Sequence, residues 1–281
     1  MPLNTATNVK ATAASSPQDA FSPKVYWENR LSHNFSLGGV GHGLFGYQYN
    51  RWLYKLRDRV LRRHLTTLEL NLSDANILDV GSGTGFYIDF WRNLGVGSVS
   101  GSDLTEIAVC RLRERFPDLA FHQLDIGGEL SSDLLSKADI VSAFDVLFHI
   151  VDDAQFERAI HNISQLLKPG GLFCFSELFL HGETETSTHM VCRSLLHVEE
   201  VLARFGFETI LRRPIFVVMN QPLDTRTMFP RFAWALMTYP ARWSEAIGWF
   251  YGAMLYPTDL VLTKLLKESP TAEMMICRKV R

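Results

Sequence analysis

The chain has 281 residues, of which 47% are hydrophobic and 21% are charged, and its formal net charge is -2. This length and composition predict one large α/β domain with an added segment, and they exclude a second full domain. A nearly neutral chain lacks the basic face that nucleic-acid-binding proteins usually present, so no nucleic-acid partner is expected.

The first 70 residues predict a tail followed by a helical lid. Residues 1–20 are rich in Ala, Thr, Ser and Asn and contain no apolar run of the signal-peptide kind, so a disordered tail and a cytoplasmic protein are expected. Within residues 21–70, a dense group of glycines at 38–43 precedes a helical pattern of aromatic residues that includes Trp52. Glycines at this density indicate a loop that makes close backbone contacts or moves as a lid. The basic residues along this helix have helical spacing and predict a solvated face: Arg57, Arg59, Arg62 and Arg63.

A short apolar strand predicted at 76–80 runs directly into a glycine-rich turn at 81–85. Three glycines of the turn lack a Cβ atom, so the backbone can approach a ligand closely. Their spacing is G-x-G-x-G, whereas a dinucleotide-binding turn needs G-x-G-x-x-G and would place its third glycine at Phe86. A helix over 86–94 is predicted to follow, which makes this turn a candidate ligand cradle.

The next two predicted strands, at 98–102 and 120–124, also end in acidic residues. Asp103 follows the first of them, where an open α/β sheet offers a carboxylate to a ribose diol. Asp125 and Ile126 follow the second, where an acid can accept a hydrogen bond from an exocyclic amine and an apolar side chain can pack on an adenine ring. The order of these features along the chain predicts a pocket of nucleotide size.

Over roughly residues 70 to 180 the chain resembles the class I S-adenosylmethionine-dependent methyltransferases. The resemblance implies a Rossmann-like seven-stranded sheet with helices on both faces and an antiparallel last strand, formed by a core at 71–281, with S-adenosyl-L-methionine as cofactor. It implies that the glycine turn embraces the methionine moiety and that Asp79 orders the turn and reaches the cofactor amine through water. The cofactor-binding residues that it implies are Asp79, Gly81, Ser82, Gly83, Gly85, Asp103, Leu104, Asp125, Ile126 and Asp145.

Catalytic candidates follow the fourth and fifth predicted strands, at 138–144 and 172–177. If the acceptor is a hydroxyl, a general base is expected, and histidine has a suitable pKa. His149 is the first candidate because it lies just after the fourth strand; its alternative role is to fix the loop through a backbone hydrogen bond. Further candidates are Glu177, His181 and His189 after the fifth strand, and His42 in the glycine-rich segment.

A long insertion separates the last two strands. A helix at 197–207 leads to a strand at 208–213 and a strand-like run at 215–219, and the final strand is predicted at 272–280. The insertion at about 221–269 is rich in aromatic residues, and Pro240, Arg242 and Glu245 interrupt it, so no membrane-spanning segment is expected. The favoured interpretation is a helical cap over a pocket for a hydrophobic acceptor. The alternative is an amphipathic surface that contacts a membrane or a partner subunit, including a second copy of the chain in a homodimer.

The sequence therefore predicts methyl transfer from S-adenosyl-L-methionine to a small hydrophobic or aromatic acceptor, with O-methylation in secondary metabolism as the leading function. One alternative is an enzyme of the same fold that catalyses a cyclisation or rearrangement without methylation, and another is a non-catalytic cofactor-binding subunit. No asparagine-proline-proline-aromatic signature of amino-methylating enzymes follows the fourth strand. The four cysteines contain no C-x-x-C pair, and no metal site is predicted.

Overall fold

The computed structural model describes residues 21–68 and 71–280, so the predicted tail at 1–20 lies outside the described residues. Nine strands and nine α-helices occur in this part of the chain, together with short 3-10 turns. The strands are β1 (Asn76–Val80), β2 (Ser98–Asp103), β3 (Phe121–Gln123), β4 (Ala138–Phe144), β5 (Leu167–Glu177), β6 (Glu185–Thr186), β7 (Val191–Cys192), β8 (Phe207–Pro214) and β9 (Glu273–Lys279). The helices are α1 (Pro23–His33), α2 (Leu37–Val40), α3 (Tyr47–Leu65), α4 (Phe86–Arg92), α5 (Glu106–Arg115), α6 (Asp153–Leu166), α7 (Leu195–Arg204), α8 (Phe229–Thr238) and α9 (Glu245–Leu265).

Seven of the strands form one sheet in the order β3-β2-β1-β4-β5-β9-β8. The first five are parallel, and β9 lies antiparallel between β5 and β8. This arrangement confirms the predicted Rossmann-like fold with an antiparallel last strand. Because parallel strands end at the same edge, the segments that follow β1 to β4 meet there.

The sheet is buried on both faces, and the side-chain alternation of a strand decides which face each residue serves. Ile77 packs in one apolar cluster with helices α3, α4 and α5, whereas its neighbour Leu78 packs in a second cluster with α6 and α7. Trp91 of α4 is fully buried, and its indole N–H donates to Ser142 Oγ of β4 at 3.0 Å. The helices thus pack on both faces of the sheet and hold its strands in register, so the loops that follow the strands have defined positions at the carboxyl edge.

The strand-like run at 215–219 is not a strand, so this prediction is wrong. Strand β9 begins at Glu273, which pairs with Pro214, and no β9 residue remains to pair with the run. The backbone N–H groups of residues 217–219 instead donate to the carboxylate of Asp259 at 2.8–3.2 Å. An acid on α9 thus holds the run as an irregular loop.

Helix α9 of the insertion packs along helix α3. The approach is close because Gly248 faces Tyr49 and Gly252 faces Trp52, where a Cβ atom would lie 2.3 Å from the indole ring. The carboxylate of Glu245 accepts hydrogen bonds from the first two backbone N–H groups of α3, at 2.9 and 2.7 Å. Within residues 21–68 and 71–280, neither α9 nor any other helix has the length and apolarity that a bilayer crossing requires.

Candidate functional site

The glycine turn after β1 has the backbone that only glycine adopts easily. Gly81, Gly83 and Gly85 have φ angles of 70°, 52° and 84°, in the left-handed region. A Cβ atom on Gly81 would lie 2.4 Å from Val146 Cγ2, so the space above the turn exists because that atom is absent. At Gly85 a Cβ atom would meet Phe116 and Leu112, so this glycine lets α5 pack against the turn.

Asp103, at the end of β2, ties the turn to the neighbouring strand. Its Oδ2 accepts from the Gly83 N–H at 2.9 Å, and its Oδ1 accepts from the N–H and the hydroxyl of Thr105 at 2.9 and 2.7 Å. Burial raises the pKa of the Asp103 carboxyl, whereas these hydrogen bonds lower it. A carboxylate has about four lone-pair sites, so after these three hydrogen bonds Oδ2 can still accept from one hydroxyl of a diol.

Asp79 lies beneath the turn, and its side chain does not line the cavity above it. One carboxylate oxygen accepts from Ser142 Oγ at 2.6 Å, and the other, Oδ2, is buried without a partner among the described residues. Burial raises the pKa of Asp79 to about 7. A buried oxygen without a partner is costly unless a ligand or water reaches it from above.

A first cavity opens over the turn at the carboxyl edge of the sheet. Of the ten residues predicted to bind the cofactor, all but Asp79 and Gly85 line it: Gly81, Ser82, Gly83, Asp103, Leu104, Asp125, Ile126 and Asp145. His149 lines it too. The structure thus brings together residues that follow four different strands.

Helices α1 and α2 cover this cavity. Trp27, Leu31 and Val40 line it. The Glu28 carboxylate accepts from the first two backbone N–H groups of α5 at 3.0 Å each. Arg30 donates to the carbonyl oxygens of Gly39 and Gly41 at 2.5 and 3.1 Å. Glu28 thus holds α1 against α5, and Arg30 holds the glycine-rich segment of α2 against α1.

A second cavity, of about 490 Å³, lies beside the first. Small-molecule sites usually measure about 300–1,000 Å³. Its apolar lining comes from Tyr26, Trp27, Val40, Leu44, Leu53, Tyr54, Phe148, Leu178, Met190, Phe216, Leu223 and Ala272. The residues that line both cavities are Trp27, Val40, Tyr54, Asp145 and His149, and we call this set the junction.

His149 is neutral at the junction. Burial lowers its pKa to about 4. Its Nδ1 lies 2.9 Å from the carbonyl oxygen of His189, which can only accept, so Nδ1 carries the proton and the lone pair of Nε2 is available. The edge of the Trp27 ring system holds the imidazole, with centroids 4.9 Å apart. His149 therefore has the loop-fixing hydrogen bond at Nδ1 and an unprotonated nitrogen at Nε2. A structural role and a role as proton acceptor are compatible.

Two further histidines line the second cavity, His42 and His189. His42 Nδ1 accepts from the backbone N–H of Leu44 at 3.3 Å, so the proton of the neutral ring is on Nε2. Burial, together with the positive charges of Arg242 and Arg30, lowers its pKa to about 4. The lining of the cavity thus includes an unprotonated imidazole nitrogen on His149 and an imidazole N–H on His42.

Glu177 and His181 do not reach either cavity, so their assignment as catalytic residues is corrected. Glu177 is only 2% exposed, and burial raises its pKa to about 8. His181 lies on the surface, where Nδ1 is 2.6 Å from Asp224 Oδ2, and this hydrogen bond raises its pKa. Glu177 is the last residue of β5, and His181 follows the strand; of this stretch, Leu178 lines the second cavity.

Arg57 is a site residue that the sequence analysis missed. It was expected on a solvated face, yet it is buried, lines the second cavity and pairs with Asp145. It also donates to Tyr87 Oη at 3.1 Å. Asp145 has a φ of 60°, which is unusual for a residue with a side chain, and its carboxylate also accepts from Ser176 Oγ at 2.9 Å. The helical spacing of α3 carries a signal, since Arg57 shares a face with the buried Leu53 and Leu61.

The favoured interpretation of the insertion as a pocket cap is wrong for α8 and α9. No residue from 229 to 265 lines either cavity. The insertion reaches the second cavity only through Gln221 and Leu223, which precede α8, and Trp234 of α8 packs behind the wall against His42. Within the described residues, no group of three metal-ligating side chains comes together either.

Comparison with known proteins decides the family. The model of a methyltransferase domain matches residues 49–211, more than half of the chain. The chain belongs to this methyltransferase family. It is a class I S-adenosylmethionine-dependent methyltransferase, an enzyme whose cofactor is S-adenosyl-L-methionine, as the sequence predicted.

Two curated relatives match parts of this methyltransferase. The ubiquinone biosynthesis O-methyltransferase of Pseudomonas paraeruginosa is 33% identical over 103 residues, which are 36% of this chain and 43% of the relative. The tRNA U34 carboxymethyltransferase of Azotobacter vinelandii is 32% identical over 122 residues, which are 42% of this chain and 37% of the relative. The matches therefore span less than half the length of either relative.

A solved structure agrees with the fold. The N-methyltransferase NodS from Bradyrhizobium japonicum, in complex with S-adenosyl-L-homocysteine, superposes with a TM-score of 0.55 at 13% identity. The superposition covers 92% of this chain and 99% of that chain. At this identity the likeness shows the shared fold alone.

The described residues fit the cofactor. The glycine turn leaves open space below the covering segment. A Cβ atom on Gly83 would narrow this space, because it would lie 3.2 Å from Val40 Cγ1. Asp103 and Asp125 both line the cavity and can accept hydrogen bonds from hydroxyl and amine groups. Asp79, which directly precedes Val80 and the turn, has one buried carboxylate oxygen without a partner among the described residues. These observations place acceptor groups around the space that a nucleoside with a charged amino-acid tail would need.

Proposed function

We propose that this methyltransferase transfers the methyl group to a hydroxyl of a small, apolar, aromatic acceptor that binds in the second cavity. The observation that carries the proposal is the junction, where the two cavities meet at His149. The size and lining of the second cavity support a compact apolar acceptor. The name of the Pseudomonas paraeruginosa relative supports oxygen as the acceptor atom.

The cofactor-binding role of the first cavity is part of this proposal. Asp103 would hold the ribose hydroxyls, Asp125 and Ile126 the adenine, and the glycine turn the amino-acid tail. The residues at 21–70 would act as a lid, because α1 and α2 wall both cavities and are fastened by Glu28 and Arg30. A core at 71–281 with an inserted helical segment at about 221–269 completes the proposed organisation.

The protein contributes position and a proton acceptor. S-adenosyl-L-methionine, when bound, supplies a methyl group on a positively charged sulfur. The junction residues would keep the acceptor hydroxyl close and exclude water, which is the main requirement of an in-line displacement. His149 Nε2 would take the hydroxyl proton, and the Nδ1–H bond to His189 would hold the ring in the required tautomer. The neighbouring carboxylate of Asp145 would stabilise the imidazolium that results.

We further propose a cytoplasmic protein that acts on natural-product phenols. All four cysteines are free thiols, and three of them are buried, which supports a reducing compartment. The aromatic and aliphatic lining of the second cavity supports phenolic natural products as the acceptor class.

A methyl-transfer screen tests the proposal. The full chain would be incubated with cofactor labelled in the methyl group and with separate sets of phenols, aryl amines, carboxylic acids and bulk tRNA, and products would be identified by mass spectrometry. We expect label on a phenolic oxygen and none on the other sets.

Two outcomes would contradict the proposal. Label on tRNA or on an amine would assign a different acceptor class. A product that forms only in the presence of the cofactor, but without gain of a methyl group, would favour the cyclisation or rearrangement alternative. A matched reaction with His149→Ala shows whether any activity belongs to this site.

A further inference from the structure

The insertion helices expose an unusual amount of apolar surface. Thirteen of the twenty exposed large apolar side chains in the described chain lie between residues 228 and 266. We call the following nine the apolar face; each is 47–74% exposed: Phe229, Phe232, Leu236, Trp243, Trp249, Phe250, Met254, Val261 and Leu265. Apolar patches of this kind usually mark an interaction site.

Helix α9 has the reverse of the pattern expected beside water. Its inward positions carry small or polar residues, among them Gly248, Gly252 and Asp259, which are buried against the protein. Its outward positions include Trp249 and Phe250. A helix that faces water has polar residues outside and apolar residues inside. The outward face of α9 is therefore suited to an apolar medium, although the helix cannot span a bilayer.

The apolar face carries no free negative charge. Glu245 and Asp259 are the only acidic residues between 228 and 266. Glu245 is exposed, but its carboxylate accepts from the first two backbone N–H groups of α3, and the buried Asp259 binds the loop at 217–219. Both carboxylates are therefore engaged in hydrogen bonds, and neither belongs to the nine residues of the apolar face.

A row of basic residues on α3 borders this face. Arg51, Lys55 and Arg59 are exposed at four-residue spacing, and among the described residues none of them forms a salt bridge. The ammonium group of Lys55 lies 4.4 Å from the ring centroid of Trp52 and 5.0 Å from that of Tyr256, which belongs to α9. Lys55 of the basic row thus lies beside α9. Basic residues next to the apolar face complement a surface that is apolar inside and carries anionic groups at its rim.

We propose that the apolar face and the basic row of α3 bind the surface of a bilayer that contains anionic phospholipid. Aromatic and aliphatic side chains of the face would enter the acyl boundary, while the basic row contacts the headgroups. Glu245, the first residue of α9, binds the start of α3, which follows Gly43 and Leu44 of the wall of the second cavity. Delivery of an acceptor from the bilayer would rest on the proposed function, whereas bilayer binding does not.

Vesicle sedimentation with the full chain tests this proposal. We compare vesicles of phosphatidylcholine alone with vesicles that contain about a third phosphatidylglycerol. The wild type is expected to sediment with the anionic vesicles and to be released by salt. The combined change Phe232→Ser, Trp249→Ser and Phe250→Ser should lower the bound fraction about tenfold or more.

A control variant removes three exposed apolar side chains that lie outside the apolar face. The combined change Leu135→Ser, Leu196→Ser and Val280→Ser should bind vesicles like the wild type. The variants would be accepted as folded if their circular dichroism spectrum and Tm match those of the wild type. Neither readout involves cofactor or acceptor, so failure of the proposed function would not affect them.

Three outcomes would overturn the proposal. The wild type could remain in the supernatant with every vesicle, or the variant of the apolar face could bind as well as the control. The third outcome is a wild-type dimer in sedimentation velocity that the same variant converts to a monomer, without vesicle binding. That result would assign the face to a second copy of the chain.

Discussion

Replacement of Asp103 by asparagine isolates the residue on which the proposed cofactor site depends. The carboxylate holds Gly83 through one oxygen and Thr105 through the other. In Asp103→Asn only one oxygen remains, so the amide N–H₂ must face at least one N–H donor. The variant also loses the negative charge that strengthens hydrogen bonds from a ribose diol.

The magnitude follows from these contacts. A hydrogen bond to a charged group contributes about 1.5–3 kcal/mol, so loss of the Gly83 contact and of the charge should weaken cofactor binding by about 2–4 kcal/mol. This corresponds to a Kd increased roughly 30- to 700-fold. The measurement is titration calorimetry with S-adenosyl-L-homocysteine, with the Tm of each protein recorded without ligand.

The matched control is Asp118→Asn, the same change at an exposed carboxylate 3.4 Å from Arg92. It should bind the ligand like the wild type. If Asp103→Asn also bound within about threefold of the wild type, at an unchanged Tm, the placement of the ribose would be refuted.

Three further predictions concern buried ionisable groups. His149→Ala should lower kcat about 100-fold or more at unchanged affinity for S-adenosyl-L-homocysteine. Because burial lowers the pKa of His149 to about 4, its imidazole is neutral at higher pH, and the activity of the wild type should fall only as pH approaches about 4. An inflection of the pH–activity profile near the ordinary pKa of histidine would contradict this. Burial raises the pKa of Glu177 in the folded chain to about 8, so its protonated carboxyl contributes stability that is complete below the pKa of the unfolded chain and is lost as pH rises through about 8. Glu177→Gln should therefore keep activity and raise the Tm at pH 8 by on the order of 5 °C. Equal melting curves of the wild type at pH 5 and pH 8 would refute this. Arg57→Met should lower the free energy of unfolding by about 3–5 kcal/mol because it leaves Asp145 unpaired, and Arg57→Met combined with Asp145→Asn should recover part of the loss in denaturant titrations; no recovery would mean that the ion pair is not the cause.

Local patterns in the sequence were enough to predict the sheet and its carboxyl edge. Strands β1 and β4 are short, mostly apolar runs, the glycine turn follows β1 directly and Asp103 ends β2, so each feature is encoded within a few residues. The seven-stranded sheet and its antiparallel last strand came from the resemblance, and the topology confirms both.

Features that depend on distant segments could not be read from local patterns. The run at 215–219 has the composition of a strand, but the start of β9 and the carboxylate of Asp259 decide its structure. Arg57 looks like part of a basic cluster until Asp145, far along the chain, provides its partner. The aromatic side chains of α9 point outward because the face with Gly248 and Gly252 packs on α3. The aromatic composition of the segment alone does not show which face of the helix packs inward.

The central claim is that the first cavity holds the cofactor and that its reactive end meets the acceptor at the junction. A crystal structure with S-adenosyl-L-homocysteine tests this most directly. We predict adenine beside Asp125 and Ile126, the ribose on Asp103 and the sulfur at the junction beside His149. Ligand density outside the first cavity, or with the sulfur remote from His149, would contradict the account.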